Sequence, residues 1–485
     1  MKFFGTDGIR GTVGEWPLVP EFFLRLGQAT AKVLKTRNDS TIIIGRDTRQ
    51  SCVMLQNALC AGLLNGGVSV YDVGVIPTSA VSWLVSSIGG EAVEAGVVIS
   101  ASHNPVQENG IKFFDSSGKK LAGNIEEEIE SLILDDQFQP RANNNIGRYI
   151  DGRSFQELYI QDLVKEHPSN FLSGLTIVLD CAHGAASFVA PEIFQRAGAN
   201  VIAVNASPTG LNINVNAGSE HVRRSPEKFS EIFHQNHANF GLAFDGDADR
   251  VVFVDEEGTL IDGDHMLGFL SRHLDQEGIL LEGSIVTTSM RNEGLKHFIE
   301  SKSLTLFETP VGDKYVVEKL MQLWEQNTDK NKIGLGGEQA GHIILLDNGH
   351  IAGDGIRTAL FVLSAYLKSQ NASLAEFAAG VGKTPQIIAS AYVGNGERYS
   401  KEELDAMGTE ILEKHPGIIR VNLRYSGTEP LLRTMIESNN SHSEDDLAEI
   451  AIEISHKAQL HANHINGSID ILNCTRGGTI AVTQK

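Results

Sequence analysis

Apolar and polar positions alternate along this chain on two length scales. Short apolar runs stop abruptly at polar or glycine residues: "STIIIGRDTR" (40–49), "VSVYDVG" (68–74), "AGVVISASHNP" (95–105), "GLTIVLDCAHGAAS" (174–187), "NVIAVNA" (200–206), "NFGLAFDGDADRVVFVDEEG" (239–258), "GSIVTTSM" (283–290) and "KIGLGGEQAGHIIL" (332–345). Runs this short, several rich in Val and Ile, predict buried strands that exit into loops. Longer amphipathic stretches lie between them. "MLQNALCAGLLNGG", "VAPEIFQRAGA", "GDHMLGFLSRHL" and "GIRTALFVLSAYLKS" read as helices, the first ended by glycine. Strand–helix alternation of this kind predicts α/β domains whose sheets are covered by helices.

The pattern breaks into blocks. The polar, Asn-rich stretch "QPRANNNIGRYIDGRS" ends the first. The expected division is 1–150, 155–256 and 258–370 for three blocks on one plan, although no repeat in residue identity supports it. Residues 380–463 differ: "GIIRVNLRYSGTEPLLRTMIES" predicts two strands around a glycine loop, and "SEDDLAEIAIEISHKAQLH" a helix, giving a smaller α+β unit. Residues 464–485 lack helical periodicity and contain "GG"; they read as a mobile or peripheral tail.

A net charge of −21 weighs against general nucleic-acid binding, which needs surplus Lys and Arg. An anionic substrate would need a local basic pocket within that acidic field. No apolar run approaches the ~18 residues of a membrane span, so no membrane contact is expected. The beginning "MKFFGTDGIRG" lacks the apolar core of a signal peptide. Cys52, Cys60, Cys181 and Cys474 show no metal or redox spacing and read as reduced thiols. A cytoplasmic protein is expected.

Candidate chemistry sits at strand exits, where open α/β sheets bind ligands. Ser102 follows a buried strand, with His103 beside it and Lys112 ten residues on. Serine is a weak nucleophile unless a base or charged partner assists it; a capped turn is the competing reading, and the G-x-S-x-G elbow is absent. In "FDGDADR", Asp245, Asp247 and Asp249 alternate with small residues. Carboxylates packed so closely call for a cation, and hard oxygen ligands suit Mg²⁺. A calcium loop is excluded, because Arg250 stands where it needs glycine. Arg250 also sets a fixed positive charge beside the metal, which suits phosphoryl transfer. "GLGGEQAGH" offers Glu338, Gln339 and His342 on a glycine-shaped loop, where a carboxylate can accept two hydroxyl protons from a sugar. "RYSGTEPLLR" gathers Arg424, Ser426, Thr428 and Arg433 around Gly427, a set suited to a phosphate dianion. Arg10 lies between glycines in "FGTDGIRG". Each loop alone also admits an ordinary turn.

Taken in order, "FGTDGIRG", "GRDTR", "ISASHNP…NGIKFF", "DGDADR", "VGDKYV", "GGEQAGH" and "RYSGTEPLLR" resemble the α-D-phosphohexomutase family, its glucosamine branch most closely, over residues 3 to 460. The resemblance implies three related mixed or parallel-sheet α/β/α domains and a smaller C-terminal α+β domain around a central cleft. It implies a phosphorylated Ser102, and one Mg²⁺ held by Asp245, Asp247, Asp249 and the phosphoserine. Arg10, His103, Lys112 and Arg250 would surround the transferring phosphoryl group. Glu338, Gln339 and His342, with Gly312 and Asp313 of "VGDKYV", would meet the sugar. Arg424, Ser426, Gly427, Thr428 and Arg433 would hold the other phosphate. The implied reaction interconverts the 6- and 1-phosphates of glucosamine through a sugar bisphosphate that also serves as activator, feeding amino-sugar nucleotide and cell-wall precursor synthesis. The partner is then a small hexosamine phosphate, with room for a homodimer. Glucose and mannose phosphate mutases are the near alternative; a sugar phosphatase or a non-catalytic sensor are more distant ones. Three departures from the family pattern are Ala340, Lys314 and His183, of which Ala340 bears on sugar preference.

Overall fold

In the computed structural model, which describes residues 2–5, 7–88, 93–135, 146–255, 257–369, 373–426, 430–464 and 467–482, the strand-like runs form four sheets. Domain I contains β1 (Ile9–Thr12), β2 (Thr41–Arg46), β3 (Ser69–Val75), β4 (Val93–Ile99), β5 (Glu108–Asp115) and β6 (Tyr149–Asp151), in the order β1-β5-β4-β2-β3-β6. Domain II contains β7 (Thr176–Asp180), β8 (Asn200–Val204), β9 (Phe240–Phe244), β10 (Val251–Val254) and β11 (Leu260–Ile261), ordered β11-β10-β9-β7-β8. Domain III contains β12 (Leu280–Thr288), β13 (Thr305–Thr309), β14 (Ile333–Gly337) and β15 (Ile343–Leu346), ordered β13-β12-β14-β15.

These three sheets share one device. Each has a parallel core, β4-β2-β3-β6, β9-β7-β8 or β14-β12-β13. In each, one parallel strand then turns back into an antiparallel neighbour: β4 into β5, β9 into β10, β14 into β15. The turn-back connections are residues 100–107, 245–250 and 338–342, the three stretches that carry the candidate chemistry. Each holds a residue with left-handed φ: Ser102 at 50°, Ala248 at 58° and Gly341 at 90°. For a non-glycine residue this conformation is uncommon and is retained where the surroundings enforce it.

Domain IV is antiparallel throughout. It contains β16 (Gln386–Tyr392), β17 (Ile418–Tyr425), β18 (Leu431–Ser438), β19 (Ile469–Asn473) and β20 (Thr479–Ile480), ordered β17-β18-β16-β19-β20. Helices Lys401–Lys414 and Glu444–His461 both begin in capping boxes, at Ser400 and Ser443. The expectation of a mobile or peripheral tail after residue 463 is corrected here. β19 pairs with β16 from Ile469↔Ala391 to Asn473↔Ile387, and Ile471 is fully buried. Helical periodicity was the wrong test for this segment, because "IDILN" places its side chains with a period of two.

The core is unevenly shared. One hydrophobic cluster runs through domains I, II and III, including Trp83, Tyr159, Phe240, Phe269 and Leu335. Domain IV has its own, built on Ile387, Leu432, Ile436, Leu447 and Ile471. Its seam with domain III is polar. Lys383 pairs with Asp262 and lies 3.5 Å from Asp264; Asn292 Nδ2 donates to Thr384 O at 2.9 Å, and Arg420 bonds Glu437 and the carbonyls of Ser289 and Arg291.

Candidate active site

The loops of all four domains meet at one cavity of about 660 Å³, whose wall includes Arg10, His103, Arg250, Glu338, Arg424 and Arg433. The most tightly built part is the junction of domains I and II. Ser102 is buried, and its Oγ donates to Asp245 Oδ2 at 2.6 Å and lies 3.3 Å from His103 Nδ1. Its backbone is fixed from several sides. The Ser102 N–H donates to Ser100 Oγ, and its carbonyl accepts from Arg49 Nη2 at 3.0 Å and Asn214 Nδ2 at 2.8 Å. Arg49, itself buried, also reaches the carbonyls of Asn104, Pro105 and Glu108 and pairs with Asp47 at 2.9 Å. One guanidinium thus shapes the whole serine loop. Gly246 completes the seam, because an added Cβ would lie 2.5 Å from Ser102 O.

Asp245, Asp247 and Asp249 present oxygens within 4.8 Å of one another, all buried. Asp247 Oδ1 and Asp249 Oδ1 have no hydrogen-bond partner. Burial raises the Asp245 carboxyl well above the usual range, and the neighbouring Asp249 and Asp247 raise it further. Burial also acts on Asp247, but Lys112, the Thr78 hydroxyl and Arg10 outweigh it and lower that carboxyl. Lys112 Nζ lies 3.1 Å from Asp247 and 3.3 Å from Asp249, which keeps it charged despite burial. Two orphaned carboxylate oxygens facing a third, strained carboxyl fit a small hard cation.

Asp7, which sequence reasoning passed over, is the hub of the opposite flank. It pairs with Arg10 and Lys120 and lies 3.5 Å from Lys112. Arg10 Nη1 donates to Asn104 Oδ1 at 3.4 Å. His103 is held well below its ordinary pKa, first by burial and then by Arg250, so its ring is neutral near pH 7. Glu220, Arg223 and Arg224 close the rim beside it; burial raises the Glu220 carboxyl, but Arg223 and Arg224 bring it down to about 2.

On the domain III side, Gly312 N–H donates to Glu338 Oε1 at 3.2 Å, and Asp313 binds Lys120 at 2.7 Å. The His342 ring lies 3.8 Å from Asp249 and 3.9 Å from Asp313, between the carboxylate triad and the Gly312 loop. Gln339 also lines the cavity. It is buried, and its Nε2 donates to Asp264 Oδ2 at 2.8 Å and Gln386 Oε1 at 2.7 Å. Its Oε1 has no hydrogen-bond partner among the described residues.

Domain IV brings Arg424 and Arg433 to directly opposed positions on β17 and β18. Two like charges at such a pair repel. Burial lowers the Arg424 pKa, and Arg433 lowers it further. Ser426 follows on the same wall, while Gly427 and Thr428 lie outside the described residues. An anion between the guanidiniums would relieve their repulsion.

Arg49, Asp47, Asn214, Lys120 and Asp7 were not singled out by sequence. "GRDTR" carried a usable signal for Asp47 and Arg49, charges placed directly after a fully apolar strand. Asn214, in an irregular loop, carried none.

Among known protein families, the chain matches the phosphoglucomutase/phosphomannomutase models for alpha/beta/alpha domain I over residues 1–140, domain II over 157–258, domain III over 262–383 and the C-terminal domain over 372–454. It is 41% identical over 459 residues to a phosphoglucosamine mutase of Carboxydothermus hydrogenoformans, covering 94% of this chain and 99% of that protein. A solved phosphoglucomutase/phosphomannomutase family protein from Burkholderia thailandensis superposes with a TM-score of 0.72 at 22% identity, over 96% of this chain and 98% of that one. Aspergillus fumigatus N-acetylphosphoglucosamine mutase, solved with GlcNAc-6P and magnesium, superposes with a TM-score of 0.61 at 16% identity, over 95% and 96%. With most of its length matched by four domain models in order and by relatives of this identity, the chain belongs to the phosphoglucomutase/phosphomannomutase family.

Proposed function

We propose that the protein interconverts glucosamine 6-phosphate and glucosamine 1-phosphate in the cytoplasm, as an intramolecular phosphotransferase that stores a phosphoryl group on Ser102. The observation that carries this reading is that one cavity is bordered both by His103 and Asp249, which adjoin the buried Ser102 and its carboxylate triad, and by the arginine pair. A phosphatase needs only the first. A mutase needs both, because the sugar bisphosphate must turn over and present its other phosphate.

In this reading the phosphoserine gives its phosphoryl group to the free hydroxyl of the bound sugar monophosphate; once the resulting bisphosphate has turned, Ser102 Oγ attacks its other phosphorus, the sugar O–P bond breaks and the Oγ–P bond forms. The Oγ proton passes to His103 Nδ1, which is 3.3 Å away and neutral near pH 7, and on to the departing sugar oxygen. Arg10, Arg250 and Lys112 carry fixed positive charge to the phosphoryl oxygens. Asp245, Asp247 and Asp249 would hold Mg²⁺, which supplies further charge neutralisation at the phosphoryl group. Glu338 accepts sugar hydroxyls; Gly312 orients it and Asp313 anchors Lys120 at the same wall. Arg424, Ser426 and Arg433, with Gly427 and Thr428, hold the phosphate that is not reacting. That remote binding energy helps close the cleft and keep water from the phosphoserine.

The preference for glucosamine is supported by the relatives of about 40% identity, which are phosphoglucosamine mutases. Comparing kcat/KM for glucosamine, glucose and mannose 6-phosphates tests it directly. Glucosamine should lead; equal or better turnover of glucose or mannose phosphate would move the protein to the neighbouring branch, and steady release of inorganic phosphate would make it a phosphatase.

A further inference from the structure

The sheet of domain IV carries the arginine pair, and its hydrophobic cluster is separate from the one that runs through domains I to III. Its polar seam joins it to domain III. What joins it to domain II is the segment first expected to be a tail. Arg224 of domain II pairs with Asp470 of β19. Gly478 N–H donates to Arg223 O at 2.8 Å, and Leu260 N–H donates to Arg476 O at 3.4 Å. Between these bonds, Gly477 is pressed on domain II: an added Cβ would lie 2.8 Å from Leu260 Cβ and 3.2 Å from Pro226 Cγ, at a φ of +83°. The same segment is tied to the start of domain IV itself. Lys383 Nζ donates to Cys474 O at 3.0 Å, and Gln386 N–H donates to Thr475 Oγ1 at 3.0 Å. Asp470 and Leu472 also face the cavity, beside Ile388 and Ser390 of β16.

We propose that residues 467–482 form a positioning strap that fixes domain IV against domain II and so sets the separation between Ser102 and the Arg424–Arg433 pair. The strap is anchored at one end inside the domain IV sheet, where Ile471 is buried, and at the other on Leu260 and Pro226. Any movement of domain IV away from domain II must break the Gly478 and Arg476 bonds and the Arg224–Asp470 pair together. Asp470 and Gly477 are positioning residues that touch no reacting atom. The kinetic consequence rests on the mutase reading; the geometric one does not.

The four native cysteines are buried, so spin labels can be placed on Gln235→Cys in domain II and Glu413→Cys in domain IV, both exposed positions. The distance distribution between them, measured by pulsed electron resonance in the full chain, should be narrow. Gly477→Val should broaden it and shift it to longer distance. Asp470→Asn, which keeps the sheet and the volume, should broaden it less, covering the case in which Gly477→Val fails to fold. In turnover, Asp470→Asn should raise the share of sugar bisphosphate that escapes instead of completing the reaction, by about fivefold, as expected when one half-exposed pair is lost. A combined Arg224→Asp and Asp470→Arg exchange should return both readings toward the parent. Unchanged distance distributions in a folded Gly477→Val and in Asp470→Asn would overturn the strap. Shifted distances in a protein lacking mutase turnover would keep the strap and defeat the mutase reading, so the two claims fail separately.

Discussion

In the proposed reading Ser102 and the Arg424–Arg433 pair both bind phosphate, but they sit in different surroundings. Around Ser102 almost every group is already engaged. Its hydroxyl, amide and carbonyl are all bonded, and the adjacent carboxylates interleave with Lys112 and Arg10. Around Arg424 the balance differs: two guanidiniums face each other in the β17–β18 register, partly buried, and burial with the Arg433 charge outweighs the counter-charge of Glu338. The reacting end is pre-organised, which spares reorganisation at the moment of transfer. The recognition end is held in a state that improves when an anion arrives. The consequence is a division of labour: damage at the first should appear in the chemical step and in folding, and damage at the second in substrate use alone.

The largest effect should come from removing metal. EDTA should abolish turnover and Mg²⁺ should restore it, because the triad leaves Asp247 Oδ1 and Asp249 Oδ1 unsatisfied. Ca²⁺ should support little turnover, given its larger and looser coordination. Mg²⁺ at a hundred times its Kd should also add about 2.7 kcal/mol to unfolding stability, measured by thermal melts with and without chelator. Full activity in metal-free buffer would break the comparison at its reacting end.

Next in size, Arg49→Met should cost about 3–5 kcal/mol of stability, because it strands Asp47 uncompensated and frees the carbonyls of the serine loop. Denaturant titration reads this. A loss below about 1 kcal/mol would mean that the loop is not held as tightly as described.

Arg424→Met should show the reverse pattern. Unfolding stability should be unchanged or higher, since the repulsion with Arg433 is relieved. Losing a charge-assisted bond of about 1.5–3 kcal/mol should lower kcat/KM roughly 10- to 150-fold. The loss should be similar in both reaction directions. A loss in one direction only would show that the pair does not serve both poses of the sugar.

The smallest effect concerns His103. Its folded pKa lies well below the ordinary 6.5, so the unfolded chain takes up this proton first as pH falls. Stability from this group is complete above about pH 6.5 and is lost as pH drops toward the folded value. His103→Asn should therefore flatten the acid slope of stability by up to about 1.4 kcal/mol per pH unit, measured by melts across pH 4.5–7.5. An unaltered slope would mean that His103 protonates as readily in the folded protein as in the unfolded one.

Much of this was legible in the sequence because the active loops interrupt strong apolar runs. "GVVIS" and "FGLAF" fix two strands by themselves, and the residues that follow them must lie at a sheet edge. Of the residues picked from these motifs, His103, Asp249, Glu338 and Arg424 line one cavity, and Ser102 is buried next to His103. Two things escaped. One is the partner of the Gln339 Nε2, Gln386, which stands 47 residues away. The strap escaped because β19 is stabilised by pairing with β16, some 80 residues earlier, and a five-residue strand has too little local pattern to announce such a partner.

The central claim is that Ser102 carries the phosphoryl group. Peptide mapping by mass spectrometry, after incubation with glucosamine 1,6-bisphosphate and Mg²⁺, tests it most directly. One phosphoryl group should appear on the peptide containing Ser102 and be discharged by excess glucosamine 6-phosphate, and Ser102→Ala should stay folded, unlabelled and inactive. Phosphate on another residue, or a folded Ser102→Ala protein with near-normal mutase turnover, would contradict the account.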